Sequence, residues 1–103
     1  MSDASRTFSA LADGNRLAIF ESLVSGRAAT ATLLAGDLNI SRQAAAKHLG
    51  LLVDAGLASS IRVGRETLYR SEVAPLADVS SWIATVESQW NDRLAALKIH
   101  LTN

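Results

Sequence analysis

Ser41-Arg42-Gln43-Ala44-Ala45-Ala46-Lys47-His48-Leu49-Gly50-Leu51-Leu52-Val53-Asp54-Ala55-Gly56-Leu57 reads as one helix with a marked start and stop. Ser41 suits the N-cap, where its hydroxyl can accept a bond from an orphan backbone N–H. Three successive alanines favour helix. Ala45, Leu49, Leu52 and Val53 recur at steps of three and four and so share one face. Gly56 ends the helix, since glycine enters the left-handed C′ conformation at little cost. Arg42, Gln43, Ala46 and Lys47 fall off the apolar stripe, close to the positive N-terminal end. An apolar back with Arg, Gln and Lys in front is the layout of a helix that reads base edges in a major groove. A plain amphipathic helix with a solvated face shares the same periodicity, so the neighbouring segments must decide.

Upstream, Thr30 to Leu38 reads as a short helix with Leu34 and Leu38 four apart and the small Ala35 at a possible crossing. Asn39 tolerates the left-handed conformation that a tight turn needs. Ile40 anchors the turn, and Ser41 opens the next helix. Helix, three-residue turn and helix over residues 30–56 form a helix-turn-helix unit. Downstream of Gly56 the period changes to two, through Leu57, Ser59, Ile61 and Val63. Gly64-Arg65 suits a two-residue hairpin turn. A hairpin over residues 57–71, directly after a reading helix, is a wing. Arg62, Arg65 and Arg70 lie on or beside it. Arg65 at the tip can reach phosphates or a minor groove, while Arg70 is assigned neither to DNA nor to simple protection of an exposed edge.

Two further elements are expected before this unit. Phe8, Leu11 and Ala12 give a short helical stripe, and Asp13 caps a second helix with Leu17, Phe20 and Val24 on one face, ending at Ser25-Gly26. Arg16 stands where a capping box would place Glu, so the cap is a simple one. The chain closes on a long helix over residues 75–101, with Pro75 in its first turn. Leu76, Val79, Ile83, Val86, Trp90, Leu94, Leu97 and Leu101 recur at helical spacing, widened by Trp82 and Ile99. Such a helix spans roughly 40 Å, more than the diameter of roughly 30 Å expected for so small a domain. Part of its stripe must outrun the core. A second copy of the chain is the simplest cover, which assigns Phe8, Leu11, Trp82, Val86, Trp90, Leu94, Leu97 and Leu101 to a dimer interface. A membrane-surface helix is disfavoured, because Glu87 and Asp92 lie on its polar side and basic residues are few.

The 103 residues suit one domain, mainly α with a two-stranded β-wing in the order α-α-α-α-β-β-α. The formal charge is zero, which by itself argues against nucleic acid. Its distribution does not. Residues 41–70 hold Arg42, Lys47, Arg62, Arg65 and Arg70 against Asp54 and Glu66, a net of +3, and the segments before and after are net negative. Moderate affinity is expected. There are no cysteines, which removes disulfides, thiolate metal sites and catalytic thiols. No apolar run reaches the length of a membrane span and the first residues lack a signal-peptide pattern, so a cytoplasmic location is expected. An enzyme is not expected. The two histidines are distant, no phosphate loop or nucleophile motif is present, and Glu21, Asp54 and Glu66 show no acid–base spacing.

With these residues in view, the chain resembles the winged helix-turn-helix repressors of the ArsR/SmtB type over nearly its whole length. The resemblance rests on Ala10-Leu11-Ala12-Asp13 running into Arg16, and on Ile40-Ser41 with Lys47-His48-Leu49 through Leu52 and Ala55-Gly56-Leu57. It rests also on Arg62-Val63-Gly64-Arg65 with Leu68-Tyr69-Arg70, and on Trp82, Trp90, Arg93 and Leu94. It implies a homodimer that places one helix per subunit in successive major grooves of a roughly palindromic operator. Members usually repress until an effector releases them. Carried over, the base-reading positions are Arg42, Gln43, Ala46 and Lys47, with Ser41 and Arg65 on the backbone. Arg62 joins the DNA-facing set, as does His48, as a packed or phosphate-contacting residue. Arg42 replaces a frequent glutamine, favouring guanine over adenine, and Ala46 replaces a frequent serine. Gly14-Asn15 replaces Pro-Thr, which is expected to loosen entry to the second helix.

The thiolate metal positions of the family fall on Leu34 and Gly36. Its C-terminal site keeps Asp78 but has Ser80, Asn91 and Leu94 elsewhere. His100 is isolated. No zinc ligand set remains, so neither a metal nor another cofactor is expected. The effector is left open between a small molecule, a protein partner and plain autorepression. The alternative to a DNA-binding regulator is a protein-interaction module on the same fold, motivated by the zero net charge and the alanine-rich helix.

Overall fold

The computed structural model describes residues 3–102, with side chains from residue 4. Of the first helix expected over residues 1–12, the two opening residues lie outside the described ones. The elements run α1 (Asp3–Leu11), α2 (Gly14–Ser25), α3 (Ala31–Leu38), α4 (Arg42–Asp54), β1 (Ala58–Val63), β2 (Glu66–Ser71) and α5 (Leu76–Thr102). This is the expected order. Among the described residues no helix is long and apolar enough to cross a membrane.

Capping chemistry sets the boundaries of the central unit. Thr30 Oγ1 accepts from Leu33 N–H at the start of α3, and Ser41 Oγ accepts from Ala44 N–H at the start of α4. Both helices end the same way. Asn39 adopts φ 55° and Gly56 φ 77°, and behind each turn Ile40 N–H reaches Ala35 O (3.1 Å) and Leu57 N–H reaches Leu52 O (2.9 Å). Paired with the bonds from Asn39 N–H to Gly36 O and from Gly56 N–H to Val53 O inside them, these are two Schellman closures. Ile19, Leu34, Leu49, Leu52 and Leu57 are fully buried and form the centre of the core, with Phe20, Leu23 and Ala58 beside them. Ala45 is buried with them on the back of α4.

The face of α2 differs from expectation. Its buried residues are Ile19, Phe20 and Leu23, whereas Leu17 and Val24 are exposed. Leu17, Ile19, Phe20, Leu23 and Val24 share one broad arc of about 160° at about 100° per residue, and periodicity does not say that Leu17 and Val24, at one edge of it, stay exposed. Packing against α4 and β2 makes the choice. Gly14-Asn15 does not loosen the helix entry as expected: Asp13 Oδ1 accepts from both Asn15 N–H (2.9 Å) and Arg16 N–H (3.1 Å).

β1 and β2 pair antiparallel from Ala58↔Ser71 to Val63↔Glu66, leaving Gly64-Arg65 as the turn. Gly64 has φ 61°, and Arg65 is not among the positive-φ residues, as a type II′ turn requires. The hairpin's base is anchored and its outer half is not. Leu57 and Ala58 are buried, while Ile61 and Val63 are exposed. Ala29 adds a one-residue third strand, exchanging 2.9 and 2.8 Å backbone bonds with Tyr69.

α5 begins after, not at, Pro75. A tight turn leads in, with Leu76 N–H on Val73 O and Ala77 N–H on Ala74 O. Leu76 packs against the core and Val79 is half-buried, but every described residue from Ser80 onward is exposed. The molecule is accordingly elongated, at 71 × 24 × 23 Å. Phe8 of α1 meets Trp82 edge-on, with ring centroids 5.3 Å apart. Leu11, assigned with Phe8 to an interface, is partly buried and packs against the core.

Candidate nucleic-acid interface

The caps of α3 and α4 leave the first backbone N–H groups of both helices pointing outward. On α4, Ser41, Arg42, Gln43, Ala46 and Lys47 are all exposed, while Ala45 and Leu49 behind them are buried. The side chains expected to read DNA therefore stand on the open face of a helix whose back is locked into the core. Ser41 Oγ is already an acceptor within the cap, which leaves its O–H free to donate to a phosphate.

Between this face and the wing lies an open cleft of about 410 Å³. Arg42, Gln43 and Ala46 form one wall and Arg62, Arg65, Glu66, Thr67 and Tyr69 the other, with Thr30, Ala31 and Thr32 from the start of α3 completing it. Five of the sequence-predicted residues meet here. Lys47 lies on the same exposed face of α4 without lining the cleft. Thr30 and Thr32, Thr67 and Tyr69 were missed. Thr30 had been read only as a helix start, although a capped helix start offers outward N–H groups to phosphate. Tyr69 joins through its pairing with Ala29, which leaves no periodic trace in the sequence.

Arg70 is resolved by the structure. Its Nε donates to Glu72 Oε1 and Ser59 Oγ (3.1 Å each), and Ser59 donates to the same carboxylate oxygen (2.8 Å). The Ser59 hydroxyl, then Arg70, hold the Glu72 carboxyl below the usual range. Arg70 thus braces the base of the wing and is not at its tip.

His48 is the one DNA-assigned residue set back from the surface. Its side chain is 17% exposed, and Nδ1 lies 4.0 Å from Asp13 Oδ1 and 3.4 Å from Arg16 Nη1. It bridges α4 to the cap of α2. Asp13 is held below its usual value chiefly by the Arg16 backbone N–H, with the Asn15 N–H and the Arg16 charge adding to it against partial desolvation. Among the described residues no group of three or more His, Cys, Asp or Glu is placed to hold a metal.

A family model described as a helix-turn-helix domain matches residues 11–61. The chain is 40% identical over 72 residues to the HTH-type transcriptional regulator Rv2034 of Mycobacterium tuberculosis, a match covering 70% of this chain and 66% of that protein. Among solved structures it is similar to an ArsR-like transcriptional regulator from Rhodococcus sp. RHA1, at 40% identity and TM-score 0.78, covering 93% of this chain and 90% of that one. The homodimeric winged helix-turn-helix DNA-binding domain of Mb0332 from Mycobacterium bovis, a possible ArsR-family regulator, matches at 25% identity and TM-score 0.65, over 84% of this chain and 80% of that one.

Proposed function

The chain belongs to the ArsR family of winged helix-turn-helix transcriptional regulators, and from that premise we propose that it is a cytoplasmic, homodimeric repressor of a roughly palindromic operator that responds to no metal. The observation that carries the reading is the cleft, where Arg42 and Gln43 of a helix backed by the core face Arg62 and Arg65 of the wing. Arg42 and Gln43 carry the planar, two-pronged groups that pair with guanine and adenine edges, and Ala46 offers a methyl contact to thymine. Lys47 completes the base-reading set, and Ser41 and the wing arginines hold the phosphates on either side. Phe8, Trp82, Val86, Trp90, Leu94, Leu97 and Leu101 are exposed on the terminal helices, the layer that a second copy would cover. The Mycobacterium bovis domain of similar fold is homodimeric. A metal effector is disfavoured by chemistry: Leu34, Gly36, Ser80, Asn91 and Leu94 offer no thiolate, imidazole or carboxylate.

Nuclease footprinting on DNA upstream of the protein's own gene tests the proposal. A dimer protects two half-sites related by a two-fold axis and centred about 34 Å apart, one helical turn. Protection of a single unrepeated site contradicts the palindromic operator. No protection at all favours an interaction module that kept the fold without the DNA contacts.

A further inference from the structure

α1 packs on α5 and α2, yet an open groove of about 370 Å³ separates it from the reading helix α4. Ser5, Ser9 and Ala10 line one side, and Leu51, Asp54 and Ala55 the other. Two guanidinium groups cross it. Arg6 Nη2 donates to Asp54 O at 2.7 Å, in the last turn of α4, where carbonyls lack intrahelical donors and the helix dipole is negative. Arg16, carried by α2, donates Nε to Ala10 O at 2.7 Å in the last turn of α1. Its Nη1 lies 3.4 Å from His48 Nδ1. A guanidinium can only donate, so that contact requires an unprotonated Nδ1. The two landing points on α4 are about 9 Å apart along the helix. Among the described residues, neither guanidinium pairs with a carboxylate within 4.0 Å. Both charges are directed at helix ends and at His48.

We infer that Arg6 and Arg16 are positioning residues that set the pose of α4 against α1, and through the Phe8–Trp82 contact against α5, without themselves touching DNA. The groove keeps α1 and α4 from interlocking directly, so their relative pose is set by these donors together with the packing of both helices on α2. A displacement of α1 within the α1–α5 layer is then transmitted to the DNA-reading face through these donors as well as through α2. The functional half of the inference rests on the DNA-binding reading above; the structural half does not.

The chain is tested whole, as Arg6→Ala, Arg6→Lys, Arg16→Leu and Arg16→Lys, by affinity for the operator and for random DNA and by amide hydrogen exchange. Arg6→Ala and Arg16→Leu are expected to weaken operator binding about tenfold, within the range of coupling between distant groups. Random-DNA binding, which rests on phosphate contacts, should change by less than about twofold. Arg6→Lys restores most of the loss, since one ammonium can reach one carbonyl. Arg16→Lys restores less, since the guanidinium reaches Ala10 O from Nε and His48 Nδ1 from Nη1, whereas an ammonium has a single nitrogen to place between them. Exchange at Leu51–Asp54 should quicken about fivefold in Arg6→Ala, with or without DNA. Operator and random-DNA affinities falling in parallel would show a bulk charge effect and overturn the inference, as would unchanged operator affinity with unchanged exchange. If the wild type itself shows no operator preference, the DNA-binding reading fails. The exchange rates then decide alone whether the arginines hold α4.

Discussion

Arg42, Gln43, Ala46 and Lys47 owe their availability to the residue that precedes them. Ser41 closes the helix start at 3.0 Å from Ala44 N, which fixes the direction in which the next two turns present their side chains. Asp13 plays the same part for α2 and carries a charge as well. Its carboxyl is held low, first by the Arg16 backbone N–H, and the Glu72 carboxyl is held low, first by Ser59. A carboxyl depressed in the folded state stabilises the fold above its unfolded value, and that contribution is lost as pH falls through the folded value. Both contributions are therefore complete near neutrality and disappear below about pH 4. Asp13→Asn keeps a capping oxygen without the titrating charge. Thermal melts from pH 7 to pH 3 should fall less steeply for Asp13→Asn than for the wild type. Parallel curves would contradict the assignment.

The helix-turn-helix elements were legible because their punctuation is local. Thr30, Asn39, Ser41 and Gly56 each act within a few residues, and each sits in the structure as its chemistry requires. The face of α2 was not legible in full, because Leu17, Ile19, Phe20, Leu23 and Val24 share one broad apolar arc and only long-range packing decides which part of it is buried. The Ala29–Tyr69 bridge and the packing of Leu11 against the core were hidden for the same reason. His48 was half legible: its packing was expected, but Asp13 and Arg16, more than thirty residues away, are its neighbours only in the fold. A further local constraint is Gly56. A Cβ there would meet Pro75 Cγ at 3.4 Å with φ at +77°, and left-handed backbone costs an L-residue about 1–2 kcal/mol. Gly56→Ala should lower urea-denaturation stability by about that amount, whereas Asn39→Gly should leave it unchanged or slightly raised. Equal effects at the two positions would contradict the Schellman account.

At the scale of the molecule, a globular half is joined to a 27-residue helix with no buried residue. Trp82 (47% exposed), Trp90 (57%) and Leu97 (53%) stand on that helix, with the Phe8 ring against the first of them. So large an apolar surface on one side of a 71 Å body is the mark of an interface. A charge at its centre should be intolerable there and harmless to the globular half. Trp90→Glu is expected to sediment as a monomer with the α2–α4 core intact by circular dichroism. Because two linked half-site contacts reinforce each other by effective concentration, its operator affinity should fall about a hundredfold or more. A dimeric Trp90→Glu would place the interface elsewhere.

The zero net charge makes bulk electrostatics a weak driver, so DNA binding must come from the local excess around α4 and the wing. The most direct measurement is a titration of labelled DNA from upstream of the protein's own gene, against random DNA, over a salt series and with Arg42→Ala beside the wild type. The account predicts a clear preference for the upstream DNA and a fall in affinity with salt that tracks phosphate contacts. It predicts a loss of about 1–3 kcal/mol, confined to the specific DNA, when the Arg42 guanidinium is removed. Equal, weak binding to both DNAs, untouched by Arg42→Ala, would contradict it.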